Sequence, residues 1–351
     1  MVRLILGVLL LVPFSAAYAQ TWSALPSPSG YPLYSCWFDP ADPNHGVVTG
    51  YYIQAWDLIP FEYTTFTAGA TWSYTNLYYA SSFLAARGSA FTSSTTGYIV
   101  GGGVVRTLDG GVTWDLTTDV FLIGGLLYDV TFPSATHGYA VGESWTGPSP
   151  MLCTTVNSGG TWTCTTVSDP VHAVGSPLTS LARPSDIALY AGAFGTGGGD
   201  RTFVRSTDDG LTWTATNLTV SVFALSFTSP TTGCAGTETG ILRTTDSGST
   251  WTPVLTTTAA INGLQLAPGL GLAVAADGSI YSSPDDGVSW VPMTSPVQGT
   301  AVLNDVSIVS PTLAFAVGSG GTVLKYTGPD SAVFADGFES GDTSAWTTTV
   351  P

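Results

Sequence analysis

Apolar and polar residues alternate along this chain in short stretches, the period of strands with one buried face. Three stretches carry the pattern most clearly. Asp129-Val130-Thr131-Phe132 precedes Gly138-Tyr139-Ala140-Val141-Gly142, and Leu225-Ser226-Phe227 precedes Gly233-Cys234-Ala235-Gly236. Asp305-Val306-Ser307-Ile308 precedes Ala314-Phe315-Ala316-Val317-Gly318. Each predicts a strand, a polar turn and a second strand ending in Gly. No long stretch after the leader has a helical hydrophobic period bounded by caps, so the chain reads as all-β.

A second string recurs: a small hydroxyl residue, any residue, Asp, any, Gly, any, Thr or Ser, then Trp. It places Asp109 before Trp114, Asp208 before Trp213, Asp246 before Trp251 and Asp285 before Trp290. A fifth copy, ending at Trp162, has Asn157 in the Asp position, and a degenerate sixth, ending at Trp72, has Thr67 there. Successive Trp landmarks lie 42, 48, 51, 38 and 39 residues apart, the length of four short strands with their turns. The last strand pair has no such string after it. Thr322 to Tyr326 reads as a third strand without its fourth, while Thr21-Trp22 resembles the end of a string without its beginning. The expected architecture is a seven-bladed β-propeller over 20–328, its ring closed by the mature N-terminal segment.

The physical roles of the string are structural. The Asp carboxylate accepts hydrogen bonds from backbone N–H groups of its own turn, Gly opens a backbone conformation closed to other residues, and Trp covers the hairpin base. The Asp residues stand in separate blades and cannot converge on one ion. Their spacing lacks the alternation of a calcium loop.

Composition narrows the function. Only 9% of the 351 residues are charged, the formal net charge is −16, and seven Arg with one Lys are the only cations besides His. So few cations cannot form a broad phosphate-binding face, which argues against nucleic acid and anionic lipid as partners. Residues 1–19 read as a signal peptide, with Arg3, an apolar run from Leu4 to Phe14, and Ala17-Tyr18-Ala19 before Gln20. Export to the periplasm, cell surface or medium is the expectation, with no integral membrane span in the mature chain. Residues 329–351 form a separate acidic tail, read either as a sorting signal or as a plain acidic end. Cys153 and Cys164 flank the Asn157 turn symmetrically, which predicts a cross-strand disulfide. Cys36 and Cys234 fall in blades 1 and 5 and are expected to be small buried hydrophobes.

The repeated strings resemble the Asp-box (BNR) repeat families over 20–327. Asp-Val-x-Phe, Gly-Tyr-Ala-Val-Gly and Arg-Thr-x-Asp-Gly-Gly-x-Thr-Trp are most similar to the photosystem II assembly-factor propellers of the Ycf48 type and their non-photosynthetic bacterial relatives. That resemblance implies a seven-bladed propeller and, in the photosynthetic members, a role in assembly. The photosynthetic client is not carried over. Sialidases share the Asp box but need an arginine triad. Here Arg87, Arg106, Arg183, Arg201, Arg205 and Arg243 follow the leader without an Arg-Ile-Pro motif.

Candidate binding residues are few. Arg106, Arg205 and Arg243 share a register three residues before the box Asp. They read either as a partner- or anion-binding feature or as stems packed on the next blade, and Thr154 and Ser282 at that position elsewhere favour packing. Asp129 and Asp305 share a register on the presumed innermost strand, without a readable catalytic separation. His45, His137 and His172 show no metal-ligand spacing. Gly101-Gly102-Gly103 and Gly197-Gly198-Gly199 precede strands rather than helices, so neither is a phosphate cradle. No cofactor is expected. Tyr51, Tyr52, Trp56, Phe61 and Tyr63 crowd what reads as a long loop insertion of blade 1, and Trp145 stands in a Gly/Pro-rich loop. Such aromatics suit a protein partner or a sugar. The expected function is therefore a secreted, non-enzymatic propeller that binds a protein partner or assists assembly in the cell envelope. The alternative is a glycan-binding or sialidase-like hydrolase propeller.

Overall fold

A computed structural model of the chain describes residues 20–78, 84–118, 123–145, 149–169, 176–195 and 202–328. The expected leader, the acidic tail, Gly197 to Gly199, His172 and Arg201 lie outside the described residues. Seven four-stranded antiparallel sheets succeed one another along the chain. Blade 1 consists of Leu33–Phe38, Gly46–Gln54, Asp57–Thr65 and Ser73–Asn76, and blades 2 to 6 span 88–118, 125–166, 178–217, 222–256 and 261–293. Blade 7 takes Leu303–Ser310, Leu313–Gly318 and Val323–Thr327 from the end of the chain and Thr21–Ala24 from its beginning. Trp22 pairs with Tyr326 and Ala24 with Leu324 in that closing register. The first strands touch one another in turn around the ring, and so form its inner wall. Ring closure completes the seventh sheet and packs blade 7 face to face against blade 1, leaving only short edges on each blade.

The repeated string builds the turn between the third and fourth strands. In blade 2, Asp109 Oδ1 accepts the Thr113 N–H (2.8 Å) and Oδ2 accepts the Thr113 hydroxyl (2.6 Å). The Thr107 hydroxyl donates to Asp109 Oδ1 (2.8 Å) and accepts the Gly111 N–H (2.9 Å). Asp208, Asp246 and Asp285 repeat both carboxylate contacts. Asn157 keeps the backbone bond through Oδ1 and gives Nδ2 to Thr161. Thr67 keeps it through a hydroxyl oxygen. Gly111 has φ +94°, and a Cβ there would lie 2.6 Å from Thr64 Oγ1 of blade 1, so Gly is required twice over. The Thr212 hydroxyl and N–H, with Ser206, hold the Asp208 carboxyl down at about 2. This carboxylate is spent on folding.

Trp114, Trp213 and Trp251 each donate their indole N–H to the carbonyl of their own box Gly. Trp22, Trp114, Trp213 and Trp290 are buried, and Trp72, Trp162 and Trp251 are partly so. Cys153 and Cys164 face each other across the third and fourth strands of blade 3 and form a disulfide. Cys36 and Cys234 are free and buried.

One expectation needs correction. The aromatic segment of blade 1 is a hairpin of two nine-residue strands, Gly46–Gln54 and Asp57–Thr65, paired without a break from Gly46↔Thr65 to Gln54↔Asp57. Its turn, Ala55-Trp56, has both residues at positive φ, +49° and +79°. This backbone is normally supplied by Asn-Gly. Lacking those residues, the turn was invisible as a turn. Within the hairpin Phe61 is buried, whereas Trp56 at the tip is 96% exposed.

Candidate binding site at the channel mouth

In a four-stranded meander the first and third turns lie on one face of the ring. The second turn and the links between blades lie on the other. All the boxes therefore share one face, and the blade 1 hairpin rises from the opposite face. The inner strands begin on that opposite face, and there six of them carry a register shift. It falls between Leu33 and Ser35, Leu127 and Asp129, Leu178 and Ser180, Val222 and Ala224, Ile261 and Gly263, and Leu303 and Asp305. A bulge frees one residue from the ladder and re-aims its side chain. The freed residues are Tyr34, Tyr128, Thr179, Phe223, Asn262 and Asn304, and Arg87 takes the corresponding place before the inner strand of blade 2. Together with Pro177 and Phe194 these seven residues line a 410 Å³ cavity at the channel mouth.

Arg87 is the one charged residue of that lining. Its guanidinium carbon stands 5.7, 5.1 and 4.8 Å from the ring centres of Tyr34, Tyr51 and Tyr128, within cation–π range of all three. Nη2 donates to Tyr51 Oη (3.0 Å), while Nε is buried without a partner. Tyr34 and Tyr51 stack at 4.7 Å, and the Tyr128 hydroxyl donates to Glu143 (2.6 Å). Burial, then the bond to Tyr51, raises the Tyr34 hydroxyl pKa well above its ordinary value. Burial, then the bond to Glu143, does the same for Tyr128. Both hydroxyls therefore stay neutral. Phe194 and Phe223, 5.5 Å apart, form another aromatic pair of the mouth.

Deeper in the channel, Asp129 and Asp305 both bind backbone N–H groups of neighbouring strands. Asp305 Oδ2 accepts the Cys36 N–H of blade 1 (2.9 Å), and Oδ1 accepts the N–H of Val306 (2.8 Å). Asp129 bonds likewise to Leu181 of blade 4 and to Val130. Each carboxyl therefore latches its inner strand to the next blade. Burial raises them to about 6 for Asp129 and about 7 for Asp305, against the lowering effect of these backbone bonds. Elsewhere Asn304 donates to the Leu33 carbonyl, Asn262 to the Leu303 carbonyl and Thr179 to the Val222 carbonyl, so several mouth residues also hold seams.

The other candidates have separate surroundings. Arg106, Arg205 and Arg243 donate to the carbonyls of Ser158, Ser247 and Asp286, each in the box turn of the following blade. Arg183 pairs with Asp209. The described arginines thus reach different partners and form no triad. His45 is buried, with Nε2 2.7 Å from the Gly110 carbonyl and its ring stacked on Phe66, whereas His137 is exposed. No group of three metal-ligating side chains occurs among the described residues. Tyr51 joins the mouth, Tyr52 stacks on Tyr31 at 4.3 Å, and Trp145 lies at the end of Gly138–Ser144 on the same face. Sequence reasoning missed Arg87. The available signal was its place in the repeat, equivalent to the residues just before Asp129 and Asp305.

Comparison with solved structures agrees with this blade count and topology. The chain resembles YCF48 in fold. A structure of YCF48 bound to D1 peptide superposes with a TM-score of 0.66 at 19% identity, covering 88% of this chain and 97% of that one. YCF48 from Cyanidioschyzon merolae gives 0.65 at 19%, covering 87% and 98%. No protein-family model matches the sequence, and a search of the curated proteins finds no match. At this identity the likeness to YCF48 speaks for the seven-bladed fold.

Proposed function

We propose that this chain is an exported, non-enzymatic propeller that binds an extended segment of a protein partner at its channel mouth. The observation that carries the reading is the mouth itself. One cation unpaired with any carboxylate among the described residues stands between aromatic walls, beside a hairpin that lifts an exposed Trp. Preformed aromatic and Arg surfaces of this kind anchor protein interfaces. The peptide in one of the YCF48 structures supports the same use of the fold. A non-enzymatic role is favoured by Asp129 and Asp305, whose oxygens are both engaged by backbone N–H groups. A protein segment is favoured over a sugar ring because Tyr34 and Tyr51, like Tyr31 and Tyr52, already cover each other's faces.

The test is site-specific photo-crosslinking of the full chain in its native cells, with the photoreactive residue at Thr179 in the mouth or at Leu211, 83% exposed on the box face. A discrete protein adduct from position 179 and none from 211 is expected. Equal labelling, or no adduct from the mouth, would overturn the reading. Cell fractionation in the same cells tests export.

A further inference from the structure

The chemistry of the mouth specifies what the bound segment must carry. The chain has a formal net charge of −16, yet no Asp or Glu lines the mouth cavity; the two carboxyls of the deeper channel that Arg87 also lines, Asp129 and Asp305, are engaged by backbone N–H groups. The other described arginines are committed elsewhere, three to backbone carbonyls of the next blade and Arg183 to a carboxylate. Arg87 is held by aromatic faces and a phenol and, unlike Arg183, which also lies over a tyrosine ring, it has no carboxylate partner among the described residues. Cation–π contacts orient a guanidinium without neutralising it. A partly desolvated, unneutralised guanidinium gains most from an anion, and its planar fork matches a carboxylate. Phe194 and Phe223 add an apolar contact in the same cavity.

We propose that the mouth recognises a carboxylate next to an apolar side chain, with Arg87 receiving the carboxylate and Phe194 and Phe223 the apolar group. This rests on the mouth being the protein-binding site. The carboxylate is either the C-terminus of the partner segment or an Asp or Glu side chain within it. Tyr51 and Tyr128 position the guanidinium. Long-range repulsion from the acidic chain slows encounter, whereas the local contact sets the lifetime of the complex.

The experiment uses the full mature propeller, immobilised, and two pools of random nonapeptides, one with free C-terminal carboxylates and one amidated. Retained peptides are sequenced, resynthesised and measured by fluorescence anisotropy against the native protein, Arg87→Met, Arg87→Lys and a mouth-filling variant, Asn262→Trp. Retained peptides are expected to pair a carboxylate with an apolar residue and to lose at least about tenfold in affinity on Arg87→Met. Arg87→Lys should lose less, because the charge persists without the fork. It also provides the comparison should Arg87→Met fail to fold. Amidating the carboxylate should cost native protein as much as Arg87→Met does. Retention from the free-acid pool alone assigns the C-terminus, and retention of Asp or Glu peptides from both pools assigns a side chain. Peptides displaced by Asn262→Trp but indifferent to both Arg87 variants and to amidation would overturn the carboxylate while leaving the mouth as the binding site. No retained peptide, or binding indifferent to Asn262→Trp, would overturn both.

Discussion

Glu62 should make this propeller less stable as pH rises, and Glu62→Gln should abolish that loss. Glu62 lies fully buried on the third strand of blade 1, facing the seam with blade 2. Oε2 lies 2.9 Å from the Thr64 hydroxyl, which in turn lies 3.1 Å from the Gly111 carbonyl of blade 2. Oε1 is buried without a partner. One hydroxyl hydrogen cannot serve both neighbours. A protonated Glu62 donating to Thr64, which donates to Gly111, satisfies the chain of bonds. Burial raises the Glu62 pKa from 4.5 to about 8, against the lowering effect of the nearby polar groups of Thr75, Thr64 and Trp114. The folded state thus holds a proton that the unfolded chain has released between those values. Stability from this residue is complete below the unfolded pKa and is lost as pH climbs through the folded one. At about 1.36 kcal/mol per pH unit the loss reaches about 5 kcal/mol as an upper bound above pH 8. Urea unfolding followed by tryptophan fluorescence at pH 5, 7 and 9 would read it, and the difference between Glu62→Gln and native protein cancels the similar titrations of Asp129 and Asp305. That difference should be small at pH 5 and grow to several kcal/mol at pH 9, with the variant the more stable. A difference that stays constant across the range would refute the argument.

Two further outcomes test the ring and its hairpin. Asp305→Ala should cost about 2 to 4 kcal/mol, since it leaves the Cys36 and Val306 N–H groups without their acceptor. Hydrogen exchange should accelerate at Cys36 on the blade 7 to blade 1 seam, and unchanged exchange there would dismiss the latch. Replacing Ala55-Trp56 by Asn-Gly should stabilise the protein by about 1 kcal/mol, because the native turn holds two residues at positive φ that those residues adopt freely. Thermal melting reads this directly, and a lowered midpoint would show that the turn is not strained.

What could be read from the sequence and what could not divide along the repeat. The box turn was legible because its geometry demands the same residues each time. Gly111, Gly210, Gly248 and Gly287 all sit at positive φ, and each has a hydroxyl residue four positions before it whose oxygen accepts the Gly N–H. The split seventh blade was legible for the same reason, as Trp22 completes a string whose beginning lies elsewhere. The blade 1 hairpin was not legible, because Ala55-Trp56 adopts by tertiary support a turn that local chemistry disfavours. Asp129 and Asp305 showed their common register but not their partners, since a bond from Asp305 to Cys36 spans the ring closure and leaves no local pattern.

Arg87 escaped for a more general reason. At box positions every blade must solve the same packing problem, so the residues repeat. At the mouth a bulge takes one residue out of the ladder in six blades, Arg87 holds the equivalent place before the inner strand of blade 2, and these residues are free of that shared demand. The seven positions accordingly hold Tyr, Arg, Tyr, Thr, Phe, Asn and Asn. Comparing blades for what they share discards such a position as noise. In a repeat protein the backbone of the repeat identifies equivalent places, and the chemistry of a site lies where equivalent places carry different side chains. Arg87 is the only cation at its ring position in a strongly acidic chain, and that departure from the pattern marks the mouth as the surface on which binding should be sought.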